Sequence, residues 1–290
     1  MASIKLSRGD KWMGGVNAIA LGVLTLLMLA PLLKVLATSF SSGWAADSGQ
    51  VLFWPTDPTF AAWEEILKRG SLWRSLFVTA SAAVIGTALA LLFTSMFAYP
   101  LSKKEFKPAK LLMLLILITM IFRVPIIPYF LAIKSYGLIN NYWVLIVPFL
   151  FTGFNVIIVR TFFKQFPKEL EEAAQMEGCG YFRLLFRIVL PTSKAVLATI
   201  GIFTAVMIWN QFRDPLLFIH DQELYPLQLR LRTYVTFTDM VGLSQFQELK
   251  LYSQTTLSAA AIIFAVTPIL AVYPFLQKHF IKGAFLGSIK

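Results

Sequence analysis

The sequence predicts an all-α integral membrane protein with about six transmembrane helices. Three observations predict it. Hydrophobic residues make up 57% of the 290 positions and charged residues only 14%, whereas a soluble domain carries roughly 25% charged residues. The mean hydropathy is +0.69, so more apolar surface is present than one soluble core can bury. The apolar residues fall into six stretches, each near the roughly 20 residues a helix needs to cross a bilayer.

In chain order the spans are expected at about 13–38, 73–101, 110–134, 143–163, 194–219 and 254–277. The first is too long for the apolar region of a signal peptide and lacks a small-x-small cleavage site, so it reads as a retained helix. Between spans one and two, Phe60 to Lys68 reads as a short helix at the membrane interface. The third span carries Arg123, Pro125 and Pro128. Prolines remove a backbone donor and crowd the preceding turn, so this helix should be distorted. The fifth span should meet its outer end at Arg213 and Asp214, with Pro215 breaking it. No sizeable soluble domain is left over, and residues 1–290 read as a single transmembrane domain.

Orientation follows from the Lys and Arg of the short connections, which favour the cytoplasmic side. With both termini cytoplasmic, the inner side holds Lys5, Arg8 and Lys11, then Lys103, Lys104, Lys107 and Lys110. It also holds the basic residues of 160–194 and of the tail. Nearly all of the +11 net charge then lies in four short cytoplasmic segments. The charge reports topology and lends no support to a nucleic-acid partner. Cys179 is the only cysteine, which excludes a disulfide scaffold and a thiolate metal cluster. His220 and His279 are isolated, and no Ser/His/Asp set or His-Glu-x-x-His motif is present, so neither a metal site nor a catalytic residue is expected.

The cytoplasmic connection 164–193 carries the most information. Pro167 suits the first helical position, where its missing N–H costs nothing. Glu169, Glu171 and Glu172 suit the positive end of a helix dipole. Gly178 stands where that helix should end. A second short helix, Tyr181 to Leu190, should stop before Pro191. Ala173 and Ala174 offer a small-residue surface that another protein can approach closely, and the glutamates beside them suit basic residues on that partner.

Within this connection, Glu172-Ala173-Ala174 is followed after three residues by Gly178, after nine more by Ile188, and then by Leu190-Pro191. That spacing resembles the EAA loop of ABC-importer permeases at every fixed position, with Glu177 standing where members often have Asp. Trp209-Asn210 and the tail from Gln277 to Lys290 resemble the carbohydrate permeases of the maltose type. Tyr225-Pro-Leu-Gln-Leu-Arg230 and Gly137-Leu-Ile-Asn-Asn-Tyr142 look closest to the branch importing alginate or pectin-derived sugars. The resemblance implies a type I permease fold and coupling to an ATPase through Glu171, Glu172, Ala173, Ala174, Glu177, Gly178 and Pro191. It implies a second related permease as heterodimeric partner, two ABC ATPase subunits that bind ATP and Mg, and an extracytoplasmic solute-binding protein. It places the chain in the bacterial plasma (inner) membrane. No phosphate-loop motif G-x-x-x-x-G-K-[ST] occurs in this sequence, so no cofactor is expected here and ATP hydrolysis is assigned to the partners.

For the substrate path, Arg123 stands out. A charge at the bilayer centre costs about 2.5–3.5 kcal/mol on insertion scales and marks a functional site by default. It lies roughly 20 Å along the third helix from Lys110 at 1.5 Å per residue. A forked guanidinium there suits a carboxylate sugar, although a structural pairing explains it equally well. Trp209, Asn210 and Gln211 join an aromatic face to amides, the chemistry that recognises a sugar ring and its hydroxyls; a membrane-interface tryptophan and helix-packing amides are the plainer alternatives. Tyr129 is a weaker path candidate. The expected cargo is an oligosaccharide, acidic if Arg123 faces the path. The alternatives are neutral oligosaccharides or another small solute, a membrane enzyme, and an ATP-independent channel.

Overall fold

The computed structural model describes residues 8–122, 124–236 and 252–284. Regular structure among these residues is entirely helical. The chain forms two compact units. One comprises Met1–Gly70 and Leu231–Thr267, and the other Ser71–Arg230 and Pro268–Lys290.

In the first unit, α1 (Arg8–Ser39) is mostly apolar from Trp12 onward and none of its most hydrophobic window is buried. That pattern suits a helix surrounded by lipid. It leads into α2 (Gly43–Asp47), capped where the Ser42 hydroxyl accepts from the Ala45 N–H, and then α3 (Ala61–Lys68). Trp63 of α3 stacks on Phe40 at 5.5 Å and donates its indole N–H to the Ser39 hydroxyl. The interfacial helix expected from Phe60 thus begins one residue later and is tied to the end of α1.

The second unit is organised on α4 (Gly70–Ser102), which is long and apolar enough to cross a membrane. Two buried clusters lie along it. One surrounds Val78 and Ala82 near its start, with Val144, Leu145, Ile208 and Phe218. The other surrounds Ala98, Tyr99 and Leu101 near its end, with Val156, Phe163, Leu184 and Ile200. At about 1.5 Å per residue they are separated by roughly 30 Å along the helix axis. Gly86 marks the closest approach: a Cβ there would stand 2.6 Å from Ile208 Cδ1.

The three other spans of this unit are broken. The third is α5 (Ala109–Ile121) and α6 (Ile126–Ser135), the second starting after Pro125. The fourth opens with 3₁₀ turns at Tyr142–Leu145 and Val147–Phe149 and becomes α-helical only in α7 (Gly153–Lys164). The connection 164–193 contains α8 (Lys168–Met176) and α9 (Tyr181–Thr192). The fifth span is α10 (Lys194–Trp209), bent by 84° from α9 at Ser193 and followed by the short α11 (Arg213–Phe218). Among the described residues, three helices are long and apolar enough to cross a membrane, or up to six if each bent pair is one span. α12 (Leu227–Thr236) and α13 (Gln254–Ala284) complete the described chain.

Two expectations about prolines are corrected. The fifth span stops at Trp209, well before Pro215, and Pro215 sits in the first turn of α11, where a missing N–H breaks no helical bond. The helix after Gly180 does not stop before Pro191. It passes that residue through a π turn at Leu185–Val189, in which the Leu190 N–H reaches the Leu185 carbonyl. The wider turn makes room for the proline ring, which would clash with the carbonyl four residues back in a regular α-helix.

Candidate functional site

The residues expected to couple to an ATPase lie on α8 and the turn behind it, except Pro191 on α9, and α8 packs against the far end of α4. Pro167 precedes the helix with extended backbone, and Glu169 and Glu171 occupy its first turn. The helix ends in a Schellman closure. Gly178 adopts φ +77°, its N–H reaches the Gln175 carbonyl, and the Cys179 N–H reaches the Ala174 carbonyl. An L side chain rarely adopts that φ, which is why glycine stands there. The closure turns the chain sharply into α9.

The faces of α8 differ in a way the motif alone does not show. Glu172, Ala173 and Glu177 are exposed, as are Leu170 and Met176, the latter 89% accessible. Ala174 is buried among Leu184, Leu185 and Phe163, so it belongs to the chain's own core and not to the small-residue surface expected for a partner. Glu171 also turns inward. Its carboxylate pairs with the Lys103 ammonium, and both side chains are mostly buried. That ammonium lies 4.4 Å from the centre of the Tyr99 ring. Glu171 therefore anchors the loop to the end of α4, while Glu172 and Glu177 form no ion pair among the described residues. Pro191 is exposed on α9. Arg160 of α7 also donates to the Leu101 carbonyl at 2.8 Å, tying the helix that leads into the loop to the end of α4.

The expected path residues gather near the start of α4, with one exception: Arg123 lies outside the described residues. Tyr129 on α6 donates its hydroxyl to Asp214 at 2.8 Å and packs its ring on Phe218. Gln211 is buried and donates to the Leu145 carbonyl at 3.1 Å. That carbonyl belongs to the 3₁₀ break of the fourth span, which leaves it without a regular helical partner. Trp209 packs against the same cluster, and its indole N–H has no hydrogen-bond partner among the described residues. Only Asn210 is exposed. Its amide donates to the Val206 carbonyl and accepts from Gln228. Of the four, Gln211 and Tyr129 act inside the chain's own packing, and Asn210 is the one whose amide faces outward.

The structure gives contacts to residues for which the sequence offered no role. Asn140 adopts φ +53° and its side-chain oxygen accepts from the N–H groups of His220 and Asp221 at 3.0 and 2.8 Å. Arg230, buried, donates to the Ser75 hydroxyl and to Gln222. Thr79 accepts the Leu227 N–H at 2.7 Å. The Gly137–Asn141 turn residues were a usable signal for Asn140, since asparagine tolerates the left-handed region. Nothing local to Arg230 could have paired it with Ser75, which is far away in sequence.

Comparison with known proteins places this geometry. Residues 7–285 match the family described as binding-protein-dependent transport system inner membrane component. The chain is 38% identical to Protein LplC of Bacillus subtilis, covering 94% of this chain and 93% of that protein. It is also 38% identical to the polygalacturonan/rhamnogalacturonan transport system permease protein YtcP of the same organism, covering 91% and 93%. Among solved structures, it superposes with a TM-score of 0.86 on a chain from the crystal structure of a bacterial ABC transporter involved in the import of the acidic polysaccharide alginate. That match has 31% identity and covers 96% of this chain and 100% of the other. Subunits of this kind are non-catalytic. The chain belongs to the binding-protein-dependent transport system inner membrane components, the multi-pass permease subunits of ABC importers in the bacterial plasma membrane.

Proposed function

We propose that this chain is one of two different permease subunits of an importer that carries an acidic, uronate-type oligosaccharide into the cytoplasm by alternating access. Both termini and the α8 loop face the cytoplasm, as the distribution of Lys and Arg favours. Two ATPase subunits bind ATP and Mg beneath the pore, and a binding protein delivers the sugar from outside. Residues 1–290 act as one permease domain.

The observation that carries the coupling role is the outward face of α8. Glu172 and Ala173 are exposed on a helix whose other face is fastened through Glu171 to Lys103. A helix held on one side, with unpaired acids on the other, suits a basic cleft on an ATPase. The acidic cargo is supported by the relatives named above, one a polygalacturonan/rhamnogalacturonan permease and the other from an alginate importer. Arg123, a cation within an apolar span, suits the sugar carboxylates.

The test is ATP hydrolysis by the transporter purified with its partners, measured across neutral and acidic oligosaccharides. Acidic oligosaccharides should stimulate more strongly. Arg123→Gln should weaken that stimulation about tenfold, the loss expected for one charge-assisted hydrogen bond, and leave basal hydrolysis in place. Equal stimulation by neutral sugars would remove the acidic cargo from the reading and retain the importer.

A further inference from the structure

A cavity of about 430 Å³ opens beside the coupling loop, within the second unit. One wall is the last part of α4, formed by Met96 and Tyr99, with Lys103 just beyond its end. The other is the start of α9, formed by Tyr181, Phe182 and Leu185. Tyr181 and Phe182 are 65% and 70% exposed, so the cavity is open to the surface. Met96 lies within the apolar length of α4 that is able to cross a membrane, and Lys103 directly follows its last residue. The cavity therefore straddles the level where acyl chains give way to headgroups.

Its polar features suit an anion. The Tyr99 side chain is 4% exposed, and its hydroxyl has no hydrogen-bond partner among the described residues. Leaving such a group unpaired is unfavourable, and a ligand oxygen would satisfy it. In the sequence, Lys104 and Lys107 are neighbours of the lining residues Lys103, Glu105 and Phe106, and Arg183 of Phe182. These three cations are exposed and form no ion pair among the described residues. Glu105 opposes them at the rim, and Glu171 is already engaged by Lys103.

We propose that this cavity binds an anionic phospholipid of the inner leaflet. An acyl chain lies against Met96, Phe182 and Leu185, and the headgroup phosphate meets the Tyr99 hydroxyl and the flanking cations. The inference rests on the reading that the α8 loop faces the cytoplasm. Lys103 belongs both to the cavity wall and to the ion pair that seats α8, so lipid occupancy bears on how firmly the coupling helix is held.

The assembled transporter, purified in detergent and incubated with phosphatidylglycerol or phosphatidylcholine, should retain phosphatidylglycerol in preference when bound lipid is counted by native mass spectrometry. Replacing Lys104→Gln and Lys107→Gln should weaken that retention about fivefold per lysine. Tyr99→Phe should weaken it while raising the melting temperature of the lipid-free complex, because an unpartnered hydroxyl is removed; a purely structural tyrosine would change the melting temperature alone. Equal retention of the two lipids would overturn the proposal, as would unchanged retention in both variants. So would a photo-cross-linker in place of Phe182 that captured an ATPase subunit and no lipid. Substrate-stimulated ATP hydrolysis in the same preparations separates the two readings. Normal coupling without lipid preference overturns the lipid site alone, whereas no coupling in the unmodified complex overturns the reading of the loop.

Discussion

The two ends of α4 solve opposite problems. Near its start, broken helices meet and complete one another's hydrogen bonds: Gln211 serves the Leu145 carbonyl, Asn140 serves two backbone N–H groups, and Tyr129 closes on Asp214. Near its end, α8 touches the body through one ion pair and one buried alanine and leaves Glu172, Ala173 and Met176 uncovered. Breaking a transmembrane helix frees backbone groups that lipid cannot satisfy, so the first end must be cross-linked from within. The outer face of α8 has no freed backbone groups of that kind to satisfy and stays open. The contrast shows that interrupted helices need not be weak points, and that an exposed helix can be one fastened on a single face.

The largest effect is expected on the open face. Glu172→Lys places a cation where a basic partner is expected, and like-charge contacts at an interface cost several kcal/mol. Substrate-stimulated ATP hydrolysis should fall to the basal rate and the ATPase subunits should be lost during purification. If both were unchanged, the docking role would be withdrawn. On the fastened face, Glu171→Gln leaves the largely buried Lys103 ammonium without its counter-charge, at a cost of about 3 kcal/mol. Thermal unfolding of the purified complex should show the loss, and adding Lys103→Met should recover most of it. No recovery would mean that Glu171 acts on a partner and not on the end of α4.

At the cross-linked end, Gln211→Leu keeps the volume but deprives the Leu145 carbonyl of its donor. The loss should be about 1–3 kcal/mol, read as a lower melting temperature with coupling preserved. A drop in sugar stimulation without a drop in stability would return Gln211 to the transport path. The smallest change is Tyr129→Phe, which removes one hydrogen bond to Asp214 and should cost about 1 kcal/mol, with sugar uptake nearly unchanged. A selective loss of uptake would show that the Tyr129 hydroxyl meets cargo.

Much of this molecule was legible in one dimension. Apolar length marks a membrane span because a bilayer has a fixed thickness. Gly178 was legible because few other residues tolerate its backbone angle, and the Glu172-to-Pro191 spacing because a helix, a turn and a second helix impose regular intervals. The orientation of α8 was not legible. Glu171 and Glu172 are adjacent acids, and only packing against Lys103 and Leu184 sends one inward and leaves the other out. The amides divided in the same way. Asn210 and Gln211 looked equivalent beside Trp209, yet a carbonyl freed by a 3₁₀ turn 66 positions away claims Gln211 and leaves Asn210 exposed. The sequence by itself determined that the chain lives in the membrane and carries a short helix closed by Gly178 in the connection 164–193, because hydrophobic length and local backbone geometry are written residue by residue. Only the tertiary structure decided which glutamate is paired and which is left exposed, and which amide faces inward, because those choices depend on groups brought together from distant parts of the chain.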